Sequence, residues 1–209
     1  MSVSNKDRGV NKKIRNILKE LFKSDSNIYT DIKNGIDKLE ESELVKLIND
    51  IFTNNVVNLS SDKIKKINMS MKNVCPYLRT VNLPNVTSIG DSVFSGCTKL
   101  TSIDLPNVTS IGINGFYNCT KLTSIDLPNV TSIGIATFQA CSSLTKIIIG
   151  TDSDICTLKS TDAFRDTPIA SGMGYIYVPD DKVDTYKSAT SWSRYASQIK
   201  PISELPSEE

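Results

Sequence analysis

Histidine is missing from the 209-residue chain. Without imidazole, Ser-His-Asp and Cys-His catalysis, His-ligated zinc and haem, and switches built on histidine titration are excluded. Neither sign of charge dominates: 24 Lys and Arg face 23 Asp and Glu, a formal charge of +1. That balance supplies no drive toward nucleic acid or anionic lipid, so no nucleic-acid partner is expected. No apolar run approaches the ~20 residues of a membrane span, so no membrane insertion is expected either. The opening stretch MSVSNKDRGVNKKIRNILKELFK is amphipathic and polar, without the apolar core of a signal peptide, and no secretion signal is read in it. No C-x-x-C, G-x-G-x-x-G or Walker loop occurs, so no phosphate cradle, metal or cofactor is implied.

What the chain has is repetition. Cys75, Cys97, Cys119 and Cys141 recur every 22 residues. Around them Leu78, Leu100, Leu122 and Leu144 share one phase, and Val81, Ile103, Ile125 and Ile147 a second. Leu83, Leu105, Leu127 and Ile149 form a third, and Ile89, Ile111, Ile133 and Ile155 a fourth. Phe94, Phe116 and Phe138 make a fifth, with Phe164 displaced by four residues, and 99–112 and 121–134 are the same string, KLTSIDLPNVTSIG. A unit of 22 residues cannot enclose a core alone; stacked copies bury the same positions coil upon coil, which predicts a solenoid. Within a unit, Leu100, Ile103 and Leu105 point inward while Ser102 and Asp104 face out, and Pro106 ends the strand because it has no N–H to give. The segment 107–112 returns the chain, with Gly112 expected at positive φ.

This unit resembles the leucine-rich repeats of the BspA-like family, a Cys followed by L-x-x-I-x-L/I-P-x-x-V-x-x-I-G and a Phe. The likeness covers about residues 56–170. Val108 stands where the commoner leucine-rich pattern has Asn or Cys, so the usual Asn ladder is expected to be missing. The string IYVPDDKVDTYKSATSWSRYASQIKPI resembles the closing segment of BspA-like proteins and carries the likeness to about residue 200.

The fold class that follows is an α+β repeat, a short leucine-rich-repeat solenoid with a helical N-terminal module (1–55), the repeat body (56–170) and a β/α C-terminal cap (171–209). Leu59, Ile64 and Ile67 keep the phase in a degenerate first coil, and an insertion interrupts the pattern near 151–161. Three amphipathic helices are read upstream: Val10, Ile14, Ile17, Leu18 and Leu21; Ile28, Ile32, Ile36 and Leu39; and Leu44, Leu47, Ile48 and Ile51. They either cap the first coil or dock on another protein. The termini carry opposite charge: 14 basic against 10 acidic residues in 1–74, 4 against 3 in 75–150, and 6 against 10 in 151–209.

The candidate binding surface is the outward strand face: Thr80, Asn82, Ser102, Asp104, Ser124, Asp126 and Lys146, with Ile148 beside Lys146. Asp104 and Asp126, about one coil apart, form either a solvated stripe or a seat for a hard cation, although a calcium ion needs six or more oxygens and these strands supply few. The ladder cysteines are expected to be reduced core thiols, because their Cβ vectors run parallel although the coils are close. Cys156, off the ladder, is expected to be the accessible one. Asn85, Asn107 and Asn129, each before Val-Thr, and Asn118, before Cys-Thr, match glycosylation acceptors but are read as turn residues bonding their own backbone. Tyr175, Tyr177, Tyr186, Trp192 and Tyr195 either pack the cap or form an aromatic contact surface.

Together these features point to a non-enzymatic recognition or attachment protein that binds a protein or carbohydrate surface. The resemblance adds attachment to host surfaces. The helical head joined to a repeat body fits a phage virion component, its helices docking on tail or baseplate proteins. The expected location is a virion or the cytoplasm, with the cell surface reached by a non-classical route. The alternative is an architectural subunit of a larger assembly with no ligand of its own.

Overall fold

The computed structural model describes residues 58–60, 66–67, 78–150 and 154–207. The chain divides into two units, Met1–Asn55 and Val56–Glu209. The three expected N-terminal helices, Ile64 and Cys75 lie outside the described residues.

Each coil contributes one strand to the candidate face and a two-residue strand on its return. β1 (Asn58–Ser60), β3 (Thr80–Asn82) and β5 (Ser102–Asp104) form one sheet. β7 (Ser124–Leu127), β9 (Lys146–Ile149), β11 (Tyr175–Val178) and β12 (Ile199–Pro201) form a second. The return strands β2 (Lys66–Ile67), β4 (Ser88–Ile89), β6 (Ser110–Ile111), β8 (Ser132–Ile133) and β10 (Thr157–Leu158) form the third. Every strand pairing among the described residues is parallel, with Val81 opposite Ile103, Ile89 opposite Ile111 and Ile125 opposite Ile147. The strands are short because Pro84, Pro106 and Pro128 follow them and cannot donate a ladder bond.

The stacked phases are the core. Leu78, Leu100, Leu122 and Leu144 are fully buried, as are Leu83, Leu127 and Ile149, and Leu105 is nearly so. Phe94, Phe116, Phe138 and Phe164 form one column, with successive centroids 5.3, 5.5 and 5.6 Å apart and planes within 9° of parallel. Parallel rings at that separation are offset-stacked, worth about 0.5–1.5 kcal/mol per pair beyond their burial. The insertion moves the return ladder: Ile133 pairs with Leu158 and not with Ile155, and Leu158 is the buried one. The period alone cannot reveal this, because it carries no record of where the extra residues loop out.

Gly112 does not take positive φ. It is glycine because the coils touch there: a Cβ would stand 2.8 Å from the Asp91 nitrogen, and at Gly134 one would stand 2.6 Å from the Gly112 carbonyl carbon. In the repeat coils the left-handed positions are Ser92, Asn114 and Ala136, and then Gly96, Asn118 and Ala140, two per coil in fixed phase; Asp166, Gly172 and Ser191 follow outside that phase.

Polar side chains bind coil to coil. The Thr109 and Thr131 hydroxyls donate to the carbonyls of Thr87 and Thr109, each at 3.0 Å. Asn107 Nδ2 donates to the Pro84 carbonyl and Asn129 Nδ2 to that of Pro106, both at 2.7 Å. An Asn ladder therefore exists, one position ahead of the usual one, and these amides reach the preceding coil and not their own backbone.

At the C-terminal end a short helix α1 (Val183–Ser188) and a 3-10 helix (Trp192–Gln198) lie between β11 and β12. Trp192 Nε1 donates to the Cys156 carbonyl at 2.7 Å, the Cys156 amide donates to the Tyr186 hydroxyl at 2.8 Å, and the Tyr195 hydroxyl donates to the Thr161 carbonyl. Cys156 is thus fully buried, contrary to the expectation of access, because residues some thirty positions later cover it. Cys119, Cys141 and Cys156 are free thiols, but Cys97 is disulfide-bonded, which corrects the reduced reading for that residue. Coil spacing lies within disulfide range, so rotation of the thiol decides the matter, and parallel Cβ vectors do not forbid it.

Candidate functional site

The outward strand positions form two rows across the sheets. One runs from Thr80 to Ser102 and, in the second sheet, from Ser124 through Lys146 to Tyr175. The other runs from Asn82 to Asp104, and then from Asp126 through Ile148 and Tyr177 to Lys200. The alternation that buries Val81, Ile103, Ile125, Ile147 and Ile176 turns these side chains away from the core, except at Tyr177, which is itself buried. Asn82, Ser102, Asp104 and Asp126 are exposed, whereas Thr80, Ser124, Lys146 and Ile148 are half-buried.

The face changes character along its length. Asp104 and Asp126 make one part acidic. Burial pushes the Asp126 carboxyl above its ordinary range; the Leu127 backbone hydrogen bond pulls it down, the Asp104 charge adds to the rise, and Lys146 opposes it. Two like charges held near each other are mutually unfavourable, and a cationic partner relieves them.

At the other end the face is aromatic and cationic. Tyr175 is 38% exposed and Tyr177 5%, with ring centroids 6.3 Å apart. The Lys200 ammonium sits 4.3 Å from the Tyr175 ring centroid and 3.3 Å from Glu204, a cation–π contact of about 0.5–1 kcal/mol when exposed. Met173 is the most exposed large apolar side chain of the described residues, at 72%. Tyr175 and Lys200 are the exposed or half-buried face residues missing from the sequence-derived set, and Tyr177 backs them from a buried position. The Tyr-Ile-Tyr-Val alternation is the signal for the two tyrosines; nothing in the 22-residue spacing points to Lys200.

The serines of the face have no imidazole to activate them. Among the described residues, no three His, Cys, Asp or Glu side chains gather into a metal-binding group, and no helix is long and apolar enough to cross a membrane.

Three solved structures are similar to parts of this chain. A leucine rich cell surface protein from Faecalibacterium prausnitzii A2-165 is 35% identical over 46% of this chain, with a TM-score of 0.41. A leucine-rich repeat protein of T. pallidum is 26% identical over 59%, TM-score 0.46, and one from Bacteroides ovatus ATCC 8483 is 23% identical over 66%, TM-score 0.48. The chain spans 26%, 56% and 36% of those proteins respectively. No curated protein matches the chain. Residues 65–174, more than half of the sequence, match the BspA type leucine rich repeat region in six copies, and with its parallel strand ladders and stacked phases the chain belongs to that family.

Proposed function

We propose that the chain is a non-enzymatic recognition protein that binds a protein or carbohydrate surface through the strand face, from Thr80 and Asn82 to Tyr175 and Lys200. Leucine-rich repeat domains generally bind proteins. The observation that carries the reading is where the coils differ. The outward strand pairs run Thr80 and Asn82, Ser102 and Asp104, the same pair again at Ser124 and Asp126, then Lys146 and Ile148, then Tyr175 and Tyr177, so the face changes toward both of its ends. Specificity needs differing contacts, and this face supplies them. Tyr and Met are also residue types enriched at contact surfaces. On this reading residues 1–55 anchor the chain, to virion tail or baseplate proteins or to another carrier, and the repeat body presents the face.

The test is binding of the full chain to arrayed extracellular proteins and glycans, compared with an Asp104→Lys/Asp126→Lys/Tyr175→Ala variant. At least about tenfold weaker binding of that variant is expected, about 1.4 kcal/mol, with Tyr117→Ala, off the face, unchanged. Equal binding by the face variant overturns the reading.

One observation favours an architectural subunit: the identical strings 99–112 and 121–134 give neighbouring coils the same surface, which carries little partner-specific information. Light scattering separates the two, since an assembly subunit associates with itself and a binder stays monomeric.

A further inference from the structure

The cysteine column, Cys97, Cys119 and Cys141, plays no part in surface recognition. All three side chains are fully buried, one per coil in the same phase. The Cys119 thiol donates to the Phe94 carbonyl at 3.2 Å and the Cys141 thiol to that of Phe116 at 3.0 Å, so both occupy equivalent niches one coil apart. Three residues upstream of each, the phenylalanine rings stack one per coil, and coils joined by parallel strand ladders lie about 4.8 Å apart, a spacing that suits the Cα range of about 4.4–6.8 Å over which a disulfide closes. The Cys141 thiol is the nearest influence on the Cys119 thiol, as equivalent niches one coil apart require. Cys97, at the same place in its own coil, is already in a disulfide.

We propose that Cys119 and Cys141 are an oxidisable dithiol, a modification site at which a small-molecule disulfide joins two consecutive coils covalently. The thiolate of one cysteine attacks a sulfur of the oxidant, here oxidised glutathione, forming a mixed disulfide and releasing one glutathione thiolate. The second cysteine then attacks the protein sulfur of the mixed disulfide and expels the other glutathione. The two cysteines lose two electrons and two protons, and the glutathione disulfide gains them as two thiols. Both thiols are buried, and the neighbouring Cys141 thiol, then burial, pushes the Cys119 thiol well above its ordinary range. Oxidation therefore proceeds through local opening of the coil and is slow. Once closed, the link spans residues 119–141 and restricts the unfolded chain, which raises stability.

The experiment uses the full chain held in oxidised or in reduced glutathione, quenched with an alkylating agent in denaturant, and digested for mass spectrometry. In oxidised buffer Cys119 and Cys141 are expected to lose alkylation together and appear as one cross-linked peptide, while Cys156 stays alkylated. The thermal midpoint should rise by several degrees, and Cys119→Ser and Cys141→Ser should each abolish that rise. The peptide map of the unmodified chain decides the matter even if a variant fails to fold. Full alkylation of both residues in oxidised buffer overturns the proposal. So does glutathione stably attached to either one, or a cross-link pairing Cys119 with Cys97.

Discussion

Phe116 and Phe138 stack with ring centroids 5.5 Å apart and planes 1° from parallel. Sequence neighbours 22 positions apart are thereby spatial neighbours, and each ring is solvated on neither face. Removing one ring from the column strips its neighbours of contact on both sides, since the coils above and below are pinned by their own ladders.

Phe116→Ala is accordingly expected to cost about 3–5 kcal/mol in urea unfolding, the range for a deleted core aromatic. Tyr117→Ala, the next residue but 37% exposed, should stay within about 0.5 kcal/mol. Comparable losses for the two would contradict the stacked column.

The strand alternation yields a second contrast. Leu105→Asp places an unpaired carboxylate where the side chain is 1% exposed, and a loss of more than about 4 kcal/mol is expected, enough to unfold the central coils. Ser102→Ala, on the exposed side of the same strand, should be nearly silent. Equal urea midpoints would reverse the assigned faces.

Exchanging glycine and alanine should have opposite signs at two sites. Ala140 holds φ 61°, a conformation that costs an L-residue about 1–2 kcal/mol, so Ala140→Gly is expected to raise stability by about 1 kcal/mol. Gly112→Ala drives a methyl into the backbone of the preceding coil and should cost about 1–3 kcal/mol. Thermal melts of the two variants read this directly.

How much of this was readable beforehand depends on the range of each contact. The burial of Leu105 follows from the 22-residue phase and from Pro106, both local. The role of Gly112 was misassigned because the atoms that forbid a side chain there belong to Asp91 and Gly90, and a turn and a close approach leave the same mark in a sequence. Ala140 in the left-handed region has no mark at all; Asn118 and Gly96, its equivalents in the other coils, are the only hint. At the candidate face, Asp104 and Asp126 were legible from alternation. Lys200 was not, since it reaches Tyr175 only after the chain has passed through α1 and the 3-10 helix to form β12.

The acidic end of the face gives a prediction in pH. Because the Asp126 carboxyl is raised from 3.8, the folded chain binds its proton more tightly than the unfolded chain does. Stability is therefore lost as pH rises from that value through the folded titration. Asp126→Asn removes the effect: it should match the wild type at about pH 3 and exceed it at about pH 7, where the unmodified carboxyl is ionised. Urea midpoints at the two pH values suffice, and a variant less stable than wild type at neutral pH contradicts the sign.

The hydrogen bonds from Asn107 and Asn129 to the prolines of the preceding coil have a consequence for any glycan on this protein. Oligosaccharyl transfer joins the sugar to that same carboxamide nitrogen, which in the finished coil gives one of its two hydrogens to Pro84 or Pro106. A sugar there replaces one hydrogen and leaves the other, so the bond across the coils survives only where the sugar takes the hydrogen that points away from the proline carbonyl. The direction of that second hydrogen, and not the tripeptide alone, sets whether these asparagines can carry carbohydrate with the coil closed.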